Sequence, residues 1–258
     1  MDTLGLAGAV TLVAGVGPGL GAATAGAFAG AGAEVVISAR RAESMDPVVT
    51  ALRGSGLGCT ALASDMTSAA SRSEVIAEIG RRFGRLDVLV YNASSTGTNA
   101  EVADADLDDW RRLMEVNLWS ALALTQQAVP LLRQAGGARI VMVSAMTTRM
   151  VSARGRGGYA ISKAALNQAV RTLAYELAGD GIRVNAVVPG WMETPTVASW
   201  RADPALSRHV ERARELIPLG EIPTPAAVAG TIVFLASRLS EAVTGELIDA
   251  NGGQYMRG

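Results

Sequence analysis

Cysteine, histidine and lysine occur once each in these 258 residues, as Cys59, His209 and Lys163. A single cysteine has no partner for an internal disulfide, and one histidine beside it leaves too few nitrogen and sulfur ligands for a structural zinc site. No metal is expected on those ligands, although oxygen ligation of Mg²⁺ stays open; Cys59 reads as a small hydrophobe. A Ser-His-Asp hydrolase would need His209 as its base. His209 lies in the charged run Ser207-Arg208-His209-Val210-Glu211-Arg212, where a surface side chain is expected. Neither sign of charge dominates. A net charge of −1 with dispersed acids and bases gives no positive surface for a nucleic-acid backbone or an anionic membrane, so the expected partner is a small molecule. Long apolar runs are missing as well: no stretch reaches roughly 18 uninterrupted apolar residues, and Met1-Asp2-Thr3-Leu4 lacks the basic and apolar regions of a signal peptide. A soluble, cytoplasmic protein is expected.

The scarcity of lysine carries information of its own. Against 22 arginines stands the one lysine, Lys163. The two residue types interchange on most surfaces, but a planar guanidinium cannot replace a compact ammonium set beside a hydroxyl. Lys163 therefore marks a site.

What is abundant is apolar content, 49% of the chain, ample for the core of one large α/β domain. Short β-rich apolar runs recur at 10–14, 35–38, 88–91, 140–143, 184–188 and 247–248, with helically spaced segments between them, among them 19–31, 111–132 and 159–178. Near-continuous apolar strands alternating with helices predict a doubly wound (Rossmann) parallel sheet with helices on both faces, as a single α/β domain over 1–258. Six of the nine prolines (Pro189, Pro195, Pro204, Pro218, Pro223, Pro225) crowd after the run at 184–188. A substrate-covering loop with short helices is expected there, at about 191–218.

Directly after the first strand comes Gly15-Val16-Gly17-Pro18-Gly19-Leu20-Gly21, opening an Ala/Gly-rich helix. In open α/β sheets a pyrophosphate meets backbone N–H groups and the positive helix end at this point. Gly17, Gly19 and Ala22 fit G-x-G-x-x-G/A, while Gly15, Gly19 and Gly21 fit G-x-x-x-G-x-G; the second register is favoured because Gly15 directly follows the strand. An NAD site usually has an acid at the end of the second strand for the ribose 2′-hydroxyl. Here the run is Ile37-Ser38-Ala39-Arg40-Arg41. Arg40, with Arg41, would clamp a 2′-phosphate, so NADP(H) is the preferred cofactor, with NAD(H) left open.

Further elements follow in order: Ser64-Asp65-Met66, Asn92-Ala93-Ser94, Glu115-Val116-Asn117-Leu118, Tyr159-Ala160-Ile161-Ser162-Lys163, Pro189-Gly190-Trp191-Met192-Glu193-Thr194, and Thr244-Gly245-Glu246 through Asn251-Gly252-Gly253. With the glycine loop, their order and spacing resemble the classical short-chain dehydrogenase/reductase family across essentially the whole chain, in the manner of the 3-oxoacyl-ACP reductases. The resemblance implies that Asp65 and the Met66 N–H meet the adenine, that Asn92 and Ala93 lie beside the cofactor ribose, and that Pro189, Gly190 and Thr194 hold the nicotinamide carboxamide. It implies catalytic roles for Asn117, Tyr159 and Lys163, the last two also binding the nicotinamide ribose. Tyr91 and Ser94 depart from the family's Asn-Asn-Ala-Gly, and Asn251 replaces an acid.

Residues four apart share a helix face, so Tyr159 and Lys163 can act together. A free tyrosine titrates at about 10, and a fixed positive charge nearby favours the phenolate. The resemblance implies that in the reducing direction a hydride would pass to a carbonyl carbon, Tyr159 would protonate the oxygen, and Lys163 with Asn117 and a water would relay the replacement proton. The family's substrate-holding serine is absent: after Ile140-Val141-Met142-Val143 the chain reads Ser144-Ala145. The loop before Tyr159 is also about one residue longer than usual, so a local shift could bring Ser144 forward or Thr147 could substitute, while a true loss of the hydroxyl would leave a slow enzyme. This departure and the altered Asn-Ala-Ser segment leave a second reading, an NADP-binding sensor or scaffold of little turnover. The expected substrate is a small carbonyl or alcohol compound. Trp191, Met192, Val197 and Trp200 hint at an apolar, cyclic or aromatic one, although core packing explains them equally. The resemblance further implies a homotetramer or homodimer built on the helices at 110–132 and 159–178.

Overall fold

Residues 2–151 and 154–256 are described by a computed structural model; residues 1, 152–153 and 257–258 of the expected 1–258 domain lie outside the described residues. Seven strands form one sheet: β1 (Val10–Ala14), β2 (Glu34–Ala39), β3 (Cys59–Ala63), β4 (Val88–Tyr91), β5 (Arg139–Val143), β6 (Arg183–Pro189) and β7 (Leu247–Ala250). They are ordered β3-β2-β1-β4-β5-β6-β7, with every pairing parallel. Nine α-helices among the described residues connect and cover them: α1 (Leu20–Gly30), α2 (Asp46–Gly54), α3 (Ala69–Phe83), α4 (Leu107–Met114), α5 (Ser120–Gln134), α6 (Gly157–Leu177), α7 (Pro195–Ala202), α8 (Ser207–Glu215) and α9 (Pro225–Ala236).

Both faces of the sheet are dry, which is why its central strands carry no alternating polar residues. Leu12, Leu89 and Met142 point into one core with Ile79 of α3, Leu124 of α5 and Val170 of α6. Val13, Val90 and Val141, their neighbours in sequence, point into the other with Phe28 of α1, Leu52 of α2 and Ile232 of α9. Pleating thus sends successive residues of one strand to opposite layers.

Three features differ from the sequence expectation or sharpen it. First, β3 is an extra strand beyond the apolar runs. It pairs only with β2 at the sheet edge, and Ala61 and Ala63 are exposed, so no apolar run marks it; Cys59 lies half-buried there. Second, the helix expected over 111–132 is interrupted by a π turn at Glu115–Trp119 between α4 and α5. A wide turn leaves carbonyls short of their usual donors, and side chains supply them. Ser120 Oγ donates to Glu115 O at 2.5 Å, and Tyr91 OH donates to Val116 O at 2.7 Å. Third, the proline-rich stretch folds into α7 and α8 around a small apolar cluster of its own, Val197, Val210, Ile217 and Ile222. Trp191 and Trp200 pack against it edge to face, 5.9 Å apart. His209 is exposed on α8. Among the described residues no helix is long and apolar enough to cross a membrane.

Candidate active site

Between β1 and β4 the strand order reverses, because the chain builds outward to β3 before returning to β4. Such a switch point opens a crevice at the carboxyl ends of the strands. Here it is a cleft of about 880 Å³. Its floor is the loop after β1, with Gly15, Pro18, Gly19, Leu20 and Gly21 on the wall. Gly15 has φ +91°, and a Cβ there would fall 2.3 Å from the Ala93 Cα and N. At Gly21 a Cβ would fall 2.9 Å from the Val16 Cα, whereas at Gly17 it would meet nothing within 4 Å. The steric demand therefore sits on the register containing Gly15 and Gly21. Close approach of the β1 and β4 loops is fastened by Asn92, whose Nδ2 donates to Gly15 O at 2.5 Å. Gly19 caps α1 without a side-chain hydrogen bond, so the positive end of that helix opens onto the cleft wall.

Arg40 and Arg41 stand exposed on the wall at the end of β2. Asp65 and Met66 line it from the end of β3. The Asp65 carboxylate accepts from the Thr67 N–H at 2.9 Å and the Thr67 hydroxyl at 2.8 Å, and the backbone bond contributes most to holding its pKa below the ordinary value. Beside it, the Ser64 hydroxyl is buried without a hydrogen-bond partner among the described residues, a group that a polar ligand in the cleft would satisfy. Asn92 and Ala93 line the cleft from β4. Thr194 faces the glycine loop from the far side, its Cγ2 lying 3.4 Å from where a Gly19 Cβ would be.

Asn117, Tyr159, Lys163, Pro189 and Gly190 are not on this wall. Gly190 packs against the chain end instead, where a Cβ would fall 2.7 Å from Gln254 Oε1. Pro189 closes β6 opposite Ala250. Tyr159 and Lys163 lie one turn apart at the start of α6, with the ammonium 6.0 Å from the centre of the tyrosine ring. Lys163 is buried, and its Nζ donates to Val143 O at 2.8 Å. Burial pulls its pKa from 10.5 down to about 7. Burial pushes the Tyr159 phenol upward, opposed by hydrogen bonding from Ser94 and by the charge of Arg156.

Asn117 sits in the π turn, inaccessible, with a side chain that joins the loop after β4 to α6. Its Oδ1 accepts from the Ser95 N–H at 2.9 Å and the Ser94 hydroxyl at 3.2 Å. Its Nδ2 donates to Ser95 O and to Ser162 Oγ, each at 2.9 Å, and Ser162 Oγ donates to Tyr159 O at 2.8 Å. Where the family's serine is missing, Ala145 is buried and Ser144 Oγ is committed to Asn167 Oδ1 at 2.5 Å. The Thr147 hydroxyl is buried without a partner among the described residues. Arg149 pins the same loop to β7 through an ion pair with Asp249 at 3.0 Å.

Sequence reasoning noticed Ser94 only as a departure and passed over Ser95, Ser44 and Arg112, all on the cleft wall. The two adjacent serines after Asn92-Ala93 were a usable signal. Arg112 gave none, since it belongs to a charged helix face.

Comparison with known proteins covers nearly the whole chain. The family described as Enoyl-(Acyl carrier protein) reductase matches residues 15–254. The chain is 36% identical over 244 residues to cis-4-hydroxycyclohexanecarboxylate dehydrogenase of Sinomonas cyclohexanicum, covering 95% of each. It is 36% identical over 248 residues to a 3-oxoacyl-[acyl-carrier-protein] reductase of Thermotoga maritima, covering 96% of this chain and 98% of the relative. A solved dehydrogenase/reductase from Sinorhizobium meliloti 1021 superimposes with a TM-score of 0.89 at 30% identity, over 99% of this chain and 98% of that one.

Proposed function

Because the chain belongs to the short-chain dehydrogenase/reductase family of oxidoreductases, which act on CH–OH donors, we propose that it is an NADP(H)-preferring enzyme interconverting a carbonyl and a secondary alcohol on a small apolar substrate. The observation that carries the reading is a buried lysine one helical turn from a tyrosine, behind a glycine-walled cleft at the sheet's switch point. The residues fit a dinucleotide. Gly15 and Gly21 leave backbone where a side chain would collide, the α1 N-terminus is uncapped, and the buried Ser64 hydroxyl lacks a partner. Gly15, Pro18, Gly19, Leu20 and Gly21 would hold the pyrophosphate, Asp65 and Met66 the adenine, Asn92 and Ala93 the ribose, and Pro189, Gly190 and Thr194 the carboxamide end.

The nicotinamide, when bound, supplies or accepts the hydride. Tyr159 gives its phenolic proton to the carbonyl oxygen during reduction and takes it back during oxidation. Lys163 lies one turn of α6 away, and in its protonated form, held by burial to pH values below its pKa of about 7, its charge favours the phenolate. Asn117 fixes the β4 loop against α6, which sets the distance between the cleft and Tyr159. The segment 191–218 would cover the substrate, its shape held by its own apolar cluster. A cytoplasmic setting is part of the proposal.

NADP(H) preference rests on Arg40 and Arg41, exposed where an acid would otherwise bind a ribose hydroxyl. A charge-assisted hydrogen bond to a 2′-phosphate is lost in Arg40→Ala. Its kcat/KM with NADPH is expected to fall roughly 10- to 100-fold while the NADH value hardly moves. Following oxidation of both cofactors against cyclic ketones, β-ketoesters, quinones and aldehydes tests the activity and the preference together. Equal losses with both cofactors would remove the phosphate clamp, and no hydride transfer despite bound cofactor would overturn the enzyme.

A homotetramer or homodimer completes the proposal. Trp119, Ile161 and Tyr175, the last 89% exposed, leave apolar surface on the two helical segments expected to pair. Light scattering is expected to give a dimer or tetramer mass, and a monomer mass refutes the assembly.

A further inference from the structure

Two side chains of α6, one turn apart, grip two successive residues at the end of β5. Lys163 Nζ donates to Val143 O at 2.8 Å, and Asn167 Oδ1 accepts from Ser144 Oγ at 2.5 Å. Tyr159, Lys163 and Asn167 follow one another at every fourth position, so all three share one side of the helix. Asn167 also reaches past the end of the strand. Its Nδ2 donates to Thr148 Oγ1 at 2.9 Å, and that hydroxyl donates to Ala145 O at 2.8 Å. One amide thus closes the loop 144–148 onto α6, around the position where Ala145 stands for the family's serine. Asn167 and Ser144 are both buried, and neither is on the wall of the cofactor cleft.

Resting on the oxidoreductase reading, we infer that Asn167 is a positioning residue for Lys163: it locks the end of β5 and the loop after it in register with α6, so that the Val143 carbonyl stays on the Lys163 amine and water stays out. Apolar contacts between a helix and a strand end tolerate small slides, whereas hydrogen bonds weaken steeply once their donors leave the line of the acceptor. Ser144 is free to serve the lock because the sheet uses only its backbone, whose N–H donates to Val187 O at 2.9 Å. At its far end the loop is tied a second time, by the ion pair of Arg149 with Asp249. The amine shielded in this way lies 6.0 Å from the centre of the Tyr159 ring, its titratable neighbour. Among the described residues no charged side chain on the elements packed against α6 acts on Lys163, and burial alone lowers its pKa.

The scarcity of lysine supplies the test. With one lysine in the chain, isotope-labelled lysine gives the full protein a single side-chain NMR signal, whose titration reads Lys163 without any turnover. Asn167→Leu keeps most of the side chain's volume and removes both of its bonds. Its Lys163 midpoint is expected to rise by about one pH unit toward the ordinary value, as water reaches the amine. Ser144→Ala, a smaller change made from the loop side, moves the midpoint the same way and decides the matter if Asn167→Leu does not fold. The double variant moves it no further than Asn167→Leu, because Ser144 acts through Asn167. The dissociation constant of NADPH stays as it is, while kcat of hydride transfer falls roughly 10- to 100-fold, the cost of a small misplacement. A pair that merely satisfied two buried polar groups would lower thermal stability and leave midpoint and kcat in place, and that result overturns the inference. Shifts that add in the double variant overturn it as well. A wild-type protein without hydride transfer would sink the oxidoreductase reading, while the midpoints still decide the role of Asn167.

Discussion

Tyr159→Phe is expected to lower turnover roughly 10²- to 10⁴-fold, the range of a lost general acid–base group, while cofactor binding survives. The substitution removes one oxygen and keeps the ring, so the packing at the start of α6 is unchanged. Ser94 retains its bond to Asn117, and no buried donor is stranded. Cofactor-dependent thermal stabilisation, which reads binding and not chemistry, should therefore persist while NADPH oxidation disappears. In the wild type the two directions should respond oppositely to pH. Reduction needs the phenol and falls once pH passes the Tyr159 pKa, whereas oxidation needs the phenolate and rises through it. Burial places that pKa above the ordinary value without cofactor, so oxidation should favour alkaline conditions. Turnover unaffected by the mutation would sink the mechanism.

The sheet and the cleft were legible because both are written in local chemistry. Valine-rich runs with no polar alternation encode a sheet buried on both sides, and the glycines at 15 and 21 encode backbone approaches that any Cβ would block. What escaped was what depends on long-range pairing. The strand β3 draws its order from β2, not from its own composition. Likewise the π turn at 115–119 depends on Tyr91, some 25 residues earlier, donating to Val116 O. Tyr91 looked like a mere departure in the β4 loop. In the fold its buried hydroxyl, with a pKa pushed up to about 12, stays protonated and braces the turn that presents Asn117. Ser94, the other departure, likewise gains meaning only from Asn117, whose Oδ1 accepts from its hydroxyl.

Lys163→Met should abolish turnover yet stabilise the fold at acidic and neutral pH. Methionine keeps most of the stem's volume and removes the ammonium. The folded pKa of Lys163, about 7, lies below its ordinary value of 10.5. Between those values the unfolded chain binds a proton that the folded chain does not, so wild-type stability rises with pH across the window. Below about 7 the folded protein holds a buried charge and carries the whole cost, a few kcal/mol by order of magnitude. Against this, the variant loses one hydrogen bond to Val143 O, worth about 1 kcal/mol. The variant's advantage should thus be largest near about pH 6 and shrink as pH approaches about 10, which denaturant unfolding of both proteins would measure. Parallel stability–pH curves would mean that the ammonium is not desolvated. A variant more stable and inactive would show that position 163 holds lysine against the interest of the fold, for the amine it sets beside Tyr159.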